Sequence, residues 1–230
     1  MTARQPGVQT QALAIQANGV VLHGDLQWPP APRGLVLFAH GSGSSRRSPR
    51  NRFVAEVLVA AGMATLLFDL LTETEERIDL RTRELRFDIP LLTQRLAGAT
   101  AWVLGQEALG GLPIGYFGAS TGAAAALAAS CERPEVVAVV SRGGRPDLAG
   151  PRLPEVTAAT LLIVGGEDYQ VIELNREALA QLRCEALIEI VPGATHLFEE
   201  PGTLAQAAEL AAAWFARHFP ASESMKRRSA

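Results

Sequence analysis

Ser120 lies at the centre of Gly118-Ala119-Ser120-Thr121-Gly122, a pentapeptide that joins an apolar run to an alanine-rich stretch. Leu112 to Phe117 has the character of a short buried strand, and Gly122 to Ser130 that of a helix with small residues facing inward. A G-x-S-x-G at a strand-to-helix turn is a nucleophile elbow. The turn exposes the serine Oγ at the carboxyl end of the strand, and its glycines let neighbouring backbone pass without a Cβ clash. The helix that starts there aims N–H groups and a positive dipole end at the hydroxyl. The plain alternative is a glycine turn that only lets strand and helix pack closely.

A serine hydroxyl is a poor nucleophile at neutral pH. It needs a base for its proton, and the base needs an orienting partner. After a nucleophile elbow the partners follow in the order acid, then histidine, each in a loop after a strand. Of the four histidines, His23 falls in an opening hairpin, His40 ends an early strand and His218 sits near the end of the last helix. His196, in Pro192-Gly193-Ala194-Thr195-His196-Leu197-Phe198, is the one placed in a loop after the last strand. It is expected to be the base; its ordinary alternative is a loop-capping hydrogen bond. Gly165-Gly166-Glu167-Asp168 directly follows the Thr160 to Val164 strand. Asp168 is the expected acid, with Glu167 as fallback and Asp147 as a weaker alternative.

Ester chemistry also needs two N–H donors for the developing oxyanion. Thr121 supplies the first. The second should come from His40-Gly41-Ser42-Gly43-Ser44-Ser45, with Ser42 preferred and Gly43 next. As a phosphate loop this segment lacks both G-x-G-x-x-G spacing and a Walker lysine. Two arginine groups leave from the same ends of the strands: Arg46, Arg47, Arg50 and Arg52 after the first central strand, and Arg142 and Arg145 after the strand beyond the elbow. Guanidinium forks suit carboxylate or phosphate. One reading is that one or more of these arginines, Arg46, Arg47, Arg142 and Arg145 foremost, binds an anionic part of the substrate. The alternative is that they pair with Asp69, Asp147 or the Glu73 to Glu76 cluster and hold loops.

The elements that must position these groups are legible. Ala12–Ile15 and Val20–Trp28 form a hairpin around Asn18-Gly19. Continuous apolar runs at Gly34–Ala39 and Met63–Phe68 predict strands buried within the sheet, and Val136–Val140, Thr160–Val164 and Ala186–Val191 read as further strands. Helical patterns lie between them at Pro49–Ala61, Asp88–Leu104, Val171–Leu182 and Thr203–Phe219. This alternation predicts an α/β fold: a mostly parallel sheet with helices on both faces and an antiparallel hairpin at one edge. The charged stretch Glu73–Asp88 reads as a solvated loop or helix.

With 48% apolar and 20% charged residues, the chain suits a globular enzyme, and a net charge of −3 gives no argument for nucleic acid. The start carries no signal-peptide pattern, and no window is apolar enough for a membrane helix, so a cytoplasmic location is the default. Cys131 and Cys184 have no metal-type spacing and are expected as free thiols; no metal site is expected. Residues 1–219 read as one domain and 220–230 as a basic, disordered tail.

Taken together, His40-Gly41-Ser42-Gly43, Gly118-x-Ser120-x-Gly122, Gly165-Gly166-Glu167-Asp168 and Gly193-Ala194-Thr195-His196 resemble the α/β-hydrolase superfamily, most closely its dienelactone-hydrolase-like branch. The likeness spans about Gly34 to Phe219. It implies an eight-stranded type of sheet, no cofactor, and ester or lactone hydrolysis of a small molecule through an acyl-enzyme. Dienelactone hydrolases carry a cysteine nucleophile where this chain has Ser120, so a general carboxylesterase activity fits better than dienelactone. Only Ser141 to Ala159 separates the Val136 and Thr160 strands, too little for a helical cap, so an open site is expected. A non-catalytic ligand-binding module, and a peptidase or acyltransferase with the same triad, remain alternative readings. Oligomeric state is not readable from the chain.

Overall fold

The computed structural model describes residues 7–219. The expected tail at 220–230 lies outside the described residues. β1 (Gln9–Ala17) and β2 (Val20–Trp28) form the opening hairpin. Asn18 and Gly19 both take positive φ, 49° and 81°, as a two-residue turn matched to strand twist requires. β3 (Leu35–Ala39), α1 (Pro49–Ala60) and β4 (Ala64–Phe68) follow, then α2 (Glu73–Thr82) and α3 (Ile89–Leu104). β5 (Ile114–Ala119) leads into α4 (Thr121–Glu132). The chain continues through β6 (Val136–Arg142), β7 (Ala159–Gly165), α5 (Tyr169–Leu179), β8 (Ala186–Val191) and α6 (Thr203–His218).

The eight strands form one sheet in the order β1-β2-β4-β3-β5-β6-β7-β8. β3 through β8 are parallel, and β2 joins β4 antiparallel. Successive side chains of β3 alternate between two cores, as strand geometry demands. Leu35, Leu37 and Ala39 pack with Leu92 and Leu96 of α3 and with the alanines of α4. Val36 and Phe38 pack with Val54 and Leu58 of α1 and Phe215 of α6. Every residue from Thr121 to Ser130 is buried. The run of alanines lets α4 lie close against the sheet without leaving gaps.

The connection between β6 and β7 holds only 3-10 turns over Pro146–Glu155, packed against α4 and α5, and no cap is inserted there. Glu73–Asp88, expected as loop or helix, contains α2 and a short 3-10 turn at Leu85–Phe87. α2 has a capping box: Glu75 N–H donates to Thr72 Oγ1, and Thr72 N–H donates to Glu75 Oε2 at 2.8 Å. Glu75 also accepts from Arg95 of α3 at 2.6 Å. Burial pushes the Glu75 carboxyl up, but the bonds from Thr72 and Arg95 outweigh it and hold the pKa below its usual value. Cys131 and Cys184 are unpaired, partly buried thiols. No helix among the described residues is long and apolar enough to cross a membrane.

Candidate active site

Ser120 sits between β5 and α4 with φ 51° and ψ −123°, a conformation side-chain-bearing residues rarely adopt. Such strain costs about 1–3 kcal/mol and persists only where surrounding structure enforces it. Here the enforcement is visible. Ser120 N–H donates to Arg142 O at 3.4 Å, and its carbonyl accepts from Arg145 N–H at 3.0 Å and Ala123 N–H at 3.1 Å. A Cβ on Gly122 would run into the backbone carbonyl of Ala39, so only glycine lets α4 start this close to β3.

The loops after β7 and β8 are fastened to each other. Gly166 N–H donates to Val191 O at 2.8 Å, and Glu167 N–H to Ala194 O at 2.9 Å. Gly165 permits this approach, because a Cβ there would meet the carbonyls of Ala194 and Thr195. The pairing carries Asp168 to His196: Nδ1 lies 2.7 Å from Asp168 Oδ2. A ring N–H donating at Nδ1 leaves Nε2 as the acceptor of the neutral imidazole. The turn that presents His196 is tight. Phe198 N–H donates to Thr195 O, and Phe198 takes φ 56° with its ring buried. Glu200 fixes the same turn by accepting from Thr195 N–H at 3.0 Å and from Thr195 Oγ1 at 2.6 Å. These bonds hold the Glu200 carboxyl below the usual carboxylate range.

The other candidate acids are engaged elsewhere. Glu167 accepts from the Tyr169 hydroxyl at 2.6 Å in an exposed position. Asp147 takes a two-pronged ion pair from Arg145, at 2.8 and 2.7 Å. His218 is bonded to Trp214 O and Glu185. His40 is buried; its Nδ1 lies 3.0 Å from Gly41 O, and its Nε2 accepts from Leu70 N–H at 3.1 Å. Burial pushes the His40 imidazolium pKa down, and the nearby Gly41 carbonyl, Asp69 and Glu76 only partly oppose it. A neutral His40 thereby pins the start of the Gly41–Ser45 loop to the end of β4.

Ser120 and His196 open into one cleft of about 230 Å³, which Ser42 and Ser44 also line. Thr121 begins α4, so its N–H points out of the helix end beside Ser120. Gly43 does not line that cleft; it turns toward the guanidinium of Arg86 on the other side of the loop. Arg86 is itself held by buried Asp79, with Nε donating to Oδ2 at 2.6 Å.

The arginines separate sharply. Arg46 is ion-paired with Asp69 and lies 3.5 Å from Asp25. Arg47 is exposed and does not line the cleft. Arg145 is taken by Asp147. Arg142 differs from all of these: it is 5% exposed, lines the cleft, and has no carboxylate within ion-pair reach among the described residues. Its Nη2 donates to Asn51 Oδ1 at 3.2 Å, its Nε has no partner, and its guanidinium lies 5.7 Å from the centre of the Phe198 ring. Burial, with repulsion from Arg50 added, pushes its pKa down to about 10. Sequence reasoning did not single out Asn51 or Ser48. The Ser-Pro-Arg-Asn start of α1 was a visible helix-start signal. That this helix end faces Ser120 is a tertiary fact.

A parallel sheet with an antiparallel edge, helices on both faces and a strained serine at the β5–α4 turn define an α/β-hydrolase fold. The structure superimposes on a dienelactone hydrolase from Anabaena variabilis with a TM-score of 0.92 and 58% identity, covering 93% of this chain and 100% of that one. The chain belongs to the dienelactone hydrolase family. Est1E from Butyrivibrio proteoclasticus shares the fold at a TM-score of 0.75 and 15% identity, over 90% of this chain and 98% of its own. Two Mycobacterium tuberculosis proteins named "Putative phosphoribosyl transferase" are 56% identical over 217 residues, 94% of this chain. The chain spans about half the length of these curated relatives, 48% of each. No family model matches the chain. Of these structures, the dienelactone hydrolase is the one similar in sequence as well as in fold, and Est1E shows the fold alone.

Proposed function

We propose that this protein is a serine hydrolase that cleaves a small carboxylic ester, thioester or lactone through an acyl-enzyme. The observation that carries this reading is the strained Ser120 sharing a cleft with His196, whose Nδ1 lies 2.7 Å from Asp168. Ser120 Oγ attacks the substrate carbonyl while His196 Nε2 takes its proton. Asp168 holds the ring in the tautomer that leaves Nε2 free and stabilises the imidazolium. The N–H groups of Thr121 and Ser42 receive the oxyanion. The imidazolium returns its proton to the leaving oxygen or sulfur, the carbonyl re-forms, and the acyl group stays on Ser120. Water, deprotonated by His196, then attacks this ester and releases the acid. The absence of a cap between β6 and β7 favours short, accessible substrates over long buried lipids.

The phosphoribosyl transferase name belongs to relatives more than twice as long as the matched region, and no feature described above requires that chemistry. A fluorophosphonate probe tests the hydrolase reading. Stoichiometric labelling of the wild type that disappears in Ser120→Ala is expected. A folded wild-type protein that takes no label would overturn it.

A further inference from the structure

Arg142 is a buried cation with no buried anion to match it. Taking a guanidinium out of water is unfavourable unless it is paired and fully hydrogen-bonded. A buried arginine is ordinarily paired with a carboxylate, as buried Arg95 is with Glu75, and even the partly exposed Arg46, Arg86 and Arg145 have carboxylate partners. Arg142 has instead one neutral acceptor, Asn51, and an unbonded Nε. Its place at the end of β6, opposite Ala119 of β5, puts it one strand spacing, about 4.8 Å, from the nucleophile's own strand.

The start of α1 adds positive potential to the same cleft. Ser48, the N-cap, and Arg50 and Asn51 of the first turn line it. Ser48 Oγ accepts from Asn51 N–H, so its hydroxyl hydrogen is free to donate. Arg50 N–H, in the first helical turn, has no intrahelical acceptor, and the helix dipole adds positive potential there. The Arg50 side chain reaches Glu199 at 3.1 Å, but that pair is largely exposed and therefore weak. Two guanidinium groups and a helix end around one cleft exceed what a single carboxylate would balance. They match a group carrying about two negative charges and three acceptor oxygens.

We infer that Arg142, with Arg50 and the first turn of α1, forms an anion subsite beside Ser120 that takes a phosphate monoester carried by the ester substrate. This rests on the hydrolase reading for the word substrate, but the subsite itself can be tested without turnover. Inorganic phosphate, compared with chloride at matched ionic strength, should raise the melting temperature of both wild type and Ser120→Ala. It should also inhibit hydrolysis of a neutral p-nitrophenyl ester competitively. Both effects should vanish in Arg142→Gln and be partly kept in Arg142→Lys, which retains the charge without the fork. Among acyl-matched neutral, carboxylated and phosphorylated esters, wild type should prefer the phosphorylated one. Arg142→Gln should lose at least tenfold more in kcat/KM on that ester than on the neutral one, mainly through KM.

Should Arg142→Gln not fold, the wild-type melting and inhibition measurements decide by themselves. Phosphate that neither stabilises nor competes would overturn the subsite, as would an equal loss on all three esters or a preference for the carboxylated one. Ester turnover without any phosphate effect ends the subsite and keeps the hydrolase. Phosphate stabilisation with no turnover of any ester ends the hydrolase and keeps the subsite.

Discussion

Ser120 and Arg142 are joined backbone to backbone: the N–H of Ser120 donates to the carbonyl of Arg142 at 3.4 Å. The strand that supports the strained serine therefore also delivers the buried guanidinium to the same cleft. Any change in the β5–β6 register would break this bond and shift the two groups relative to each other.

The Asp168 carboxylate is expected to matter through the ring it orients. Asp168→Asn should lower kcat by about 10³ to 10⁴-fold, because an amide favours the wrong tautomer of His196. Glu167→Gln should have little effect, since that carboxylate faces Tyr169. Steady-state kinetics on a p-nitrophenyl ester compare the two. A larger loss from Glu167→Gln would reassign the acid.

Gly122→Ala should destabilise the protein by about 3 kcal/mol or more, because the new methyl meets fixed backbone of Ala39 and not a movable side chain. Urea unfolding followed by circular dichroism measures this. A change below about 1 kcal/mol would show that α4 can shift away from β3.

His40 links stability to pH. Its folded pKa is depressed by burial, so the unfolded chain takes up the proton first. The stability this group contributes is fully present above the unfolded pKa of about 6.5 and declines as pH falls below it toward the folded value. Urea midpoints at pH 7.5 and 5.5 should therefore differ less in His40→Gln than in wild type. Equal midpoint differences in the two proteins would mean that His40 takes up its proton in the fold as readily as in the unfolded chain.

Arg145→Ala should act on a loop and not on substrate charge, because both prongs of its guanidinium are taken by Asp147. Hydrolysis of neutral and anionic esters should fall by the same factor. Selective loss on the anionic ester would place Arg145 in the cleft.

Much of the architecture could be read along the chain because it is governed by local period and turn chemistry. Apolar runs such as Ala64–Phe68 are buried on both faces and admit few alternatives to a central strand. Asn18-Gly19 specifies its hairpin turn by backbone conformation alone. The α2 segment was less clear, since it has no apolar stripe. Its Glu75 and Asp79 are held by Arg95 and Arg86, partners lying outside the helix itself.

The order of Ser120, Asp168 and His196, each after a strand, was determined by the sequence, because the α/β alternation sends every such loop to one end of the sheet. What only the tertiary structure decided was which arginine of the cleft has no carboxylate partner among the described residues. Arg46, Arg142 and Arg145 look alike in one dimension, each within a short loop or strand end. Folding brings Asp69 to the first and Asp147 to the third, while the second meets the amide of Asn51 and the ring of Phe198. Charge balance depends on which side chains share a buried volume, and that is a property of packing rather than of spacing along the chain.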